Sequence, residues 1–272
     1  MSNKLDFVKK ISVLDTETTG VESDDDIIEF SISFPCKVTE DIDGIDNYTL
    51  RYKPLKDIPP EASAVHFIST EDVANCLNYS DDLENIDALM GCRDYFVGHN
   101  VQFDRRMMVD NEYKYRNSVS QYLLDEERWI CTLRFAKKMF AEDVEFKNLT
   151  LSYLWYKFGC YREVHRHVNA HAAKDDVFMC YQVLMKLIDI AIERGHIDES
   201  GDIGAQIVDF CNKPMLYSCM PFGKHKGMKM SEVPLNYIEW MITNSDILDT
   251  SNPNCDKDLV YTFEYEYSSR TN

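Results

Sequence analysis

The stretch that decides the fold is residues 11–20, ISVLDTETTG. Its first four residues favour a short β-strand, and the Thr19-Gly20 pair supplies the turn that ends it. Asp15 and Glu17 come two residues apart, so in a strand their carboxylates project from one face, about 7 Å apart. Unpaired carboxylates at the tip of a buried strand are costly, because burial penalises the charged form. We therefore interpret this pair as ligands of a hard cation rather than as a polar strand end facing solvent.

Two further stretches place acidic residues beside predicted helix starts. Residues 98–104, GHNVQFD, follow a short apolar strand at 95–98 and put Asp104 in the first turn of a helix. Residues 171–176, HAAKDD, stand at the start of another helix. Residues five apart on a helix differ by about 140° around the axis, so His171 and Asp176 do not share a face there. Taken alone, Asp104 is explained as a charge at a helix N-terminus and His171 as a capping or surface histidine.

The order of the predicted elements is typical of an α/β protein. Residues 11–14 form an antiparallel meander with the next two predicted strands, and the acidic run Asp24 to Asp26 is a solvated turn between them. The strands and helices after the first strand are predicted at 27–34, 48–52, 95–98, 103–111, 132–140, 149–158 and 170–194.

The chain has 272 residues, of which 44% are hydrophobic and 28% charged, and this composition excludes a disordered or fibrous protein. A large domain is predicted at 1–194, a glycine-containing linker at 195–213 and a small unit at 214–272, with a helix at 203–210 as the alternative within the linker. No stretch approaches the ~18 apolar residues needed to cross a membrane, and no secretory signal is seen. The nine cysteines form no C-x-x-C pair, which indicates reduced thiols and a cytoplasmic protein.

The net charge of −18 is unevenly distributed along the chain. Residues 1–94 hold 8 basic and 21 acidic side chains, whereas residues 95–194 hold 15 and 14. Nucleic-acid affinity usually depends on Lys and Arg that neutralise phosphates. Any phosphate-facing surface is therefore expected mainly from the middle third, which contains Arg105, Arg106, Lys114, Arg116, Lys137, Lys138, Arg162, Arg166 and Lys174.

Together the three acidic stretches resemble the DEDD exonucleases over residues 10–194. The motifs stand in the family's order: Asp15-x-Glu17-Thr18-Thr19-Gly20, His99-Asn100-x-x-Phe103-Asp104 and His171-x-Ala173-x-x-Asp176. In the sister subclass a tyrosine lies four residues before the last aspartate. Here that position is Ala172 and a histidine lies five residues before, which resembles the histidine subclass.

This resemblance implies an RNase H-like mixed β-sheet flanked by helices, and a hydrolase with two Mg²⁺ or Mn²⁺ ions per active site. Asp15 would contact both ions, Glu17 and Asp176 one of them, and Asp104 the other. Carboxylates are suitable ligands for these cations, and two ions can clamp the attacking and leaving oxygens at phosphorus. His171 would be the general base for the attacking water. The implied product is a nucleoside 5′-monophosphate released from a 3′ end.

The resemblance also implies residues that contact the substrate. Thr18, Thr19 and Gly20 would lie near the terminal 3′-hydroxyl and its base, and Asn100 would position a metal or the scissile phosphate. Residues 64–68, AVHFI, resemble a segment that places an apolar side chain near the last bases, which involves His66 and Phe67. Glycine is frequent in the family at the position of Phe67, so core packing of a loop stays open as the alternative to base stacking.

The small C-terminal unit begins with a glycine-punctuated basic stretch, MPFGKHKGMK at residues 220–229. A proline then opens an amphipathic helix at 233–241, so we predict a small hairpin packed on one helix. The stretch resembles the F-G-K-x-K-G module of exonuclease X-like proteins. Lys224, Lys226 and Lys229 are therefore candidates for phosphate contact, with a packing scaffold as the alternative.

The function favoured by these motifs is a metal-dependent 3′–5′ exonuclease acting on DNA 3′ ends. The alternatives within the fold are an RNA-trimming exoribonuclease or oligoribonuclease, and a proofreading subunit with a polymerase or repair partner. An alternative of another class is a catalytically silent nucleic-acid-binding module. The intact acidic positions favour an enzyme over the silent module.

Overall fold

The computed structural model describes residues 3–35, 46–141, 143, 145–163, 172–251 and 255–271. The chain divides into two compact units, Met1–Cys211 and Asn212–Asn272. Among the described residues, no helix is long and apolar enough to cross a membrane.

The first unit is built on a mixed β-sheet with the strand order β3-β2-β1-β4-β5. Strand β1 pairs antiparallel with β2, which pairs antiparallel with β3, whereas β1 pairs parallel with β4 and β4 with β5. Strand β1 continues four residues beyond its predicted end, so Asp15 and Glu17 lie within the paired strand. The five strands are β1 Ile11–Thr18, β2 Ile27–Phe34, β3 Asp46–Arg51, β4 Tyr95–Gly98 and β5 Trp129–Cys131.

Helices surround this sheet, and the longest of those described, α9, spans 21 residues. The helices of the first unit are α1 Asn3–Val8, α2 Pro60–His66, α3 Thr70–Val73, α4 Leu83–Met90, α5 Gln102–Arg116, α6 Gln121–Leu124, α7 Thr132–Phe140, α8 Leu151–Lys157, α9 Ala173–Glu193 and α10 Ile203–Asn212.

Successive side chains of β1 pack in two different hydrophobic cores. Ile11 and Val13 pack in a cluster with Val177 and Leu184 of α9, whereas Leu14 packs in a cluster with Met107 of α5. Successive strand residues point to opposite faces, so both faces of the sheet are covered by helices. The predicted mixed α/β fold is confirmed.

The predicted linker at 195–213 is corrected by the structure. Its second half forms α10, and Ile203 and Ile207 of that helix are buried in the same core as α9. The first compact unit therefore extends to Cys211. The glycines that suggested a linker lie largely in the turns before this helix.

The acidic turn before β2 is also unlike its prediction. Asp25 and Asp26 are buried, and Asp26 is only 1% exposed. Asp25 pairs with Lys56 at 2.8 Å, and Asp26 pairs with Lys114 at 2.6 Å. The two lysines are distant from the turn in sequence, so the local pattern did not indicate these ion pairs.

The second unit has its own apolar core of Met220, Met230, Val233, Ile238, Met241, Leu248, Leu259 and Phe263. A backbone bridge between Cys219 and Lys229 closes the predicted hairpin. Gly223 and Gly227 have φ values of +69° and +83°, so these two motif positions favour glycine for conformational reasons. Among the described residues, the predicted helix is α11 Leu235–Asn244, and a further helix, α12 Lys257–Thr271, lies where no element was predicted.

Candidate active site

Three carboxylates converge on one face of the sheet. Asp15 and Glu17 continue the face of β1 that begins with Ile11 and Val13, and this face meets α9. Asp176 lies in the first turn of α9. One oxygen from each of the three side chains lies within 4.8 Å of the other two, a spacing that could hold a metal ion.

Asp104, the fourth predicted acid, is fixed beside this cluster by Thr16. Its Oδ1 accepts hydrogen bonds from the Thr16 backbone N–H at 2.9 Å and from the Thr16 hydroxyl at 2.7 Å. Asp104 is 3% exposed and lies in the first turn of α5, which follows the strand parallel to β1. The Thr16 bonds therefore tie the start of α5 to the residue between Asp15 and Glu17.

Burial raises the pKa of three of the predicted acids in the absence of a cation. Burial raises the pKa of Asp15 well above its usual value, and repulsion from Asp104, Asp176 and Glu17 adds to this effect. The pKa of Glu17 is raised to about 9, first by burial and then by Asp176 and other carboxylates. Burial raises the pKa of Asp104 to about 6 against the hydrogen bonds from Thr16. A divalent cation would stabilise the charged forms of these groups.

Glu29 is a fifth carboxylate near the cluster, and the sequence motifs did not identify it. Strand pairing places it opposite Glu17, and it is 5% exposed. Its side chain accepts hydrogen bonds from Arg51 and from the backbone of Ala173. The signal that could have indicated a special role is an acidic residue inside the otherwise apolar start of β2, IIEF.

The hydroxyls of Thr18 and Thr19 make hydrogen bonds within the turn that follows β1. Thr18 donates to the Gly20 carbonyl at 2.6 Å, and Thr19 donates to Asp25 Oδ1 at 2.8 Å. A Cβ atom at Gly20 would lie 2.3 Å from Asp25 Oδ2, so this close approach requires glycine. These residues shape the turn beside Glu17, and their contact with substrate stays a prediction.

Phe67 and Asn100 are exposed residues with left-handed backbone conformations. Phe67 has a φ of +59° and is 76% exposed, which excludes the core-packing alternative. Its positive φ gives a physical reason for glycine to be frequent at this position. Asn100 has a φ of +69° in the turn between β4 and α5. A strained, exposed aromatic residue is consistent with a binding role.

His66, unlike Phe67, is buried. Its Nδ1 accepts a hydrogen bond from the Ile68 backbone N–H at 3.1 Å. Burial lowers the pKa of His66, so its neutral form is favoured. This environment indicates a structural contribution at the end of α2. His171, the predicted general base, lies outside the described residues.

Several basic residues expected to face phosphate form ion pairs within the protein. Lys114 binds Asp26, and Arg116 binds both Asp87 and Glu112. Such pairs reduce the positive charge available to a ligand. Lys174, in the first turn of α9, is exposed two residues before Asp176. Arg166 lies outside the described residues.

The sequence pattern of the family described as "Exonuclease" matches residues 12–184, which contain all five predicted catalytic positions. The chain belongs to the exonuclease family. It is a 3′–5′ exonuclease, a hydrolase of phosphodiester bonds, and enzymes of this family normally use divalent metals. The acidic cluster suits that requirement. Residues 213–245 match a second family, described as "Putative quorum-sensing-regulated virulence factor".

Exodeoxyribonuclease 10 of Escherichia coli strain K12 is 26% identical to this exonuclease over 241 residues, covering 87% of this chain and 92% of that protein. The solved structure of "Exonuclease X in complex with 5' overhanging duplex DNA" has a TM-score of 0.51 at 19% identity, covering 74% of this chain and 99% of that one. A 3′-exonuclease solved for "3'-end specific recognition of histone mRNA stem-loop" also has a TM-score of 0.51, at 14% identity, covering 68% and 64% of the two chains. The predicted DEDD exonuclease fold is thereby confirmed.

Proposed function

We propose that this exonuclease removes nucleoside 5′-monophosphates from DNA 3′ ends with two Mg²⁺ or Mn²⁺ ions. The observation that carries the proposal is the convergence of oxygens from Asp15, Glu17 and Asp176 within 4.8 Å. The all-oxygen donor set suits these hard cations. The raised pKa values of Asp15 and Glu17 support the same conclusion, because a cation would relieve the repulsion between these partly buried carboxylates.

The residues that would hold the two ions are Asp15, Glu17, Asp104 and Asp176. When bound, the ions supply Lewis-acid polarisation of the scissile phosphate and charge neutralisation. Thr16 orients Asp104 through two hydrogen bonds, which keeps one of its oxygens directed toward β1. His171 accepts the proton of the attacking water, a role that rests on the family resemblance.

Residues around the cluster are proposed to hold the 3′ end. Asn100 and Phe67 are exposed in strained turns, and Phe67 offers an aromatic face on which a base can stack. The turn of Thr18, Thr19 and Gly20 would line the site of the terminal nucleotide. His66 supports this region from within the fold.

The DNA preference is supported by the name of the Escherichia coli relative and by the duplex DNA in the Exonuclease X structure. An RNA substrate is the second candidate, favoured by the 3′-exonuclease solved for histone mRNA recognition. Discrimination between the two sugars depends on contacts with the 2′-hydroxyl, which sequence motifs do not encode. A cytoplasmic location and a polymerase or repair partner remain part of the proposal.

Product analysis on end-labelled strands tests this function. We expect DNA labelled at the 5′ end to shorten stepwise from its 3′ end, with nucleoside 5′-monophosphates as products. The assay compares single- and double-stranded DNA and RNA in Mg²⁺, in Mn²⁺ and in excess EDTA. Undiminished cleavage in EDTA would contradict the metal sites. Faster cleavage of RNA than of matched DNA would favour the RNA alternative.

The stability of the metal-free protein should depend on pH through Glu17. Its pKa is raised from 4.5 to about 9 on folding, so the folded state binds the proton more tightly than the unfolded state. Stability from this group is therefore fully present below about pH 4.5 and is lost as pH rises toward about 9.

Thermal unfolding in EDTA across this pH range measures the effect. We expect Glu17→Gln to reduce the fall in Tm with rising pH, because glutamine does not ionise. Glu199→Gln, which removes an exposed glutamate, serves as the control. Saturating Mn²⁺ should also reduce the fall in the unsubstituted protein. An equal fall in Tm with rising pH in Glu17→Gln and in the unsubstituted protein would contradict the raised pKa of Glu17.

The lysines of the C-terminal unit are proposed to contact phosphates of longer DNA. Lys224, Lys226 and Lys229 are all exposed within a ten-residue glycine-containing segment. Each phosphate contact contributes about 0.7–0.9 to the slope of log affinity against log salt concentration. Replacing the three lysines with glutamine should therefore reduce the magnitude of this slope by about one to three log units of affinity per log unit of salt concentration.

A salt series of DNA binding in EDTA measures this change in slope. The double variant Lys213→Gln, Lys257→Gln controls for loss of positive charge elsewhere in the same unit. Cleavage of a very short oligonucleotide at saturation should stay close to that of the unsubstituted enzyme. An unchanged slope in the triple variant would favour the packing-scaffold alternative.

A further inference from the structure

The buried carboxylate of Glu29 connects three elements beside the proposed metal site. Its Oε1 accepts a hydrogen bond from Arg51 Nε of β3 at 2.7 Å. Its Oε2 accepts one from the Ala173 backbone N–H of α9 at 3.1 Å. Strand β2 pairs Glu29 with Glu17, so the residue lies on the same face as the cluster.

The start of α9 depends on an acceptor from outside the helix. The first N–H groups of a helix have no partner within it, and Ser, Thr, Asp or Asn at the N-cap usually supplies the missing oxygen. The N-cap of α9 is Ala172, which makes no side-chain cap. Glu29 supplies a carboxylate oxygen to the first of these N–H groups instead.

This contact lies within one helical turn of a proposed metal ligand. Ala173 is the first residue of α9, and Asp176 follows three residues later. A shift of the helix start would move Asp176 relative to Asp15 and Glu17, whose oxygens lie within 4.8 Å of its own. The two partners of Glu29 hold its side chain between β3 and α9, so its position is set by the sheet.

We propose that Glu29 is a positioning residue that caps α9 from β2 and thereby places Asp176 in the metal site. Arg51 holds the Glu29 carboxylate in place and balances its charge. The inference rests on the proposed function, because it requires Asp176 to be a metal ligand. Glu29 acts through the helix start, because one of its oxygens accepts the Ala173 N–H and the other is held by Arg51.

The chain contains a matched control for a buried glutamate of this kind. Glu112 is also fully buried, binds Arg116 at 2.6 Å and accepts a backbone N–H from Ser120 at 2.6 Å. It belongs to α5. Loss of either glutamate removes an arginine pair and a backbone hydrogen bond, and loss of Glu112 also removes a hydrogen bond from Tyr122. Only Glu29, however, caps the helix that carries Asp176.

The test uses the full chain with Glu29→Ala, Glu29→Gln, Glu29→Asp, Glu112→Ala and Asp176→Asn. The readouts are kcat, KM for DNA, the Mn²⁺ concentration at half-maximal activity, and hydrogen exchange at the start of α9 in metal-free protein. We expect Glu29→Ala to raise the Mn²⁺ half-saturation or lower kcat by about 10- to 100-fold, as is usual for residues that orient ligands. KM for DNA should change less than about twofold, and exchange at the start of α9 should accelerate.

The conservative variants at position 29 distinguish the effect of side-chain length from the effect of charge. Glutamine keeps one acceptor oxygen for the Ala173 N–H at the same distance, and the 44% exposed Arg51 side chain can turn its N–H groups to solvent, so Glu29→Gln should keep slow exchange and most of the activity. Aspartate keeps the charge but is one methylene shorter, so Glu29→Asp should remain impaired. Glu112→Ala should leave the Mn²⁺ half-saturation unchanged.

Three results would overturn the proposal. The first is normal exchange and normal Mn²⁺ half-saturation in Glu29→Ala while Asp176→Asn is inactive. The second is a higher kcat or a lower Mn²⁺ half-saturation in Glu29→Asp than in Glu29→Gln. This comparison tests the proposal even if Glu29→Ala does not fold. The third is an equal change of Mn²⁺ half-saturation in Glu112→Ala. Full activity of Asp176→Asn would instead show that the proposed metal site itself is wrong.

Discussion

Asp176→Asn is expected to abolish turnover while the fold is retained. The substitution removes one metal-directed charge at nearly unchanged volume, from a cluster in which three carboxylate oxygens lie within 4.8 Å. Loss of a carboxylate also reduces repulsion on Asp15 and Glu17, since Asp176 raises the pKa of both. The metal-free variant should therefore be at least as stable as the unsubstituted protein. The measurements are single-turnover cleavage of labelled DNA and thermal unfolding in EDTA.

The control for this variant is Asp189→Asn on the same helix. Asp189 is exposed on α9 and binds Lys4, so its loss changes a surface pair without touching the cluster. Exposed ion pairs contribute little to stability, and this variant should keep its activity. Full activity in Asp176→Asn would contradict the metal assignment. Inactivity with an unfolded circular dichroism spectrum would require Glu17→Gln as the second test of the same cluster.

His171→Gln is expected to lower kcat by roughly 10²–10⁴ while binding of divalent ions survives. This is the usual contribution of a positioned general acid or base, and glutamine cannot accept the proton of the attacking water. The residual rate should lose the pH dependence that belongs to a titrating histidine. Rate measurements across pH, together with calorimetric titration of Mn²⁺, check both parts of this prediction.

His196→Gln provides the control for a histidine elsewhere in the first unit. His196 follows α9 and its ring lies 5.2 Å from that of Phe210, away from the carboxylates in sequence and contacts. It should leave kcat unchanged. Loss of metal binding together with activity in His171→Gln would show that His171 acts structurally, and the general-base role would be wrong.

The local pattern of the sequence was sufficient for the α/β architecture and for the predicted pairing of Asp15 with Glu17, whereas Asp104 and Asp176 were predicted as site residues from the family resemblance. Alternating apolar residues predicted β2 at the bounds observed in the structure, and the strand at Tyr95–Gly98 was predicted equally well. The motif around Asp15 and Glu17 placed both carboxylates on one face, because side chains alternate along any strand. These features depend on residues close in sequence, so they can be predicted from the sequence without knowledge of the tertiary structure.

Other features depended on partners that only the tertiary structure brings together. Asp26 was predicted to be solvated, yet Lys114, Tyr115 and the Leu55 backbone bind it. Basic residues expected to face phosphate were likewise found paired with internal acids.

The sequence by itself predicted which residues carry the chemistry, namely the acids at positions 15, 17, 104 and 176, and it determined the family to which the chain belongs. The tertiary structure decided their environment and their support. Glu29 shows the difference, because its partners Arg51 and Ala173 lie 22 and 144 residues away along the chain. Burial and hydrogen bonding are set by which distant segments meet, so a helix cap supplied by another strand has no local signature in the sequence.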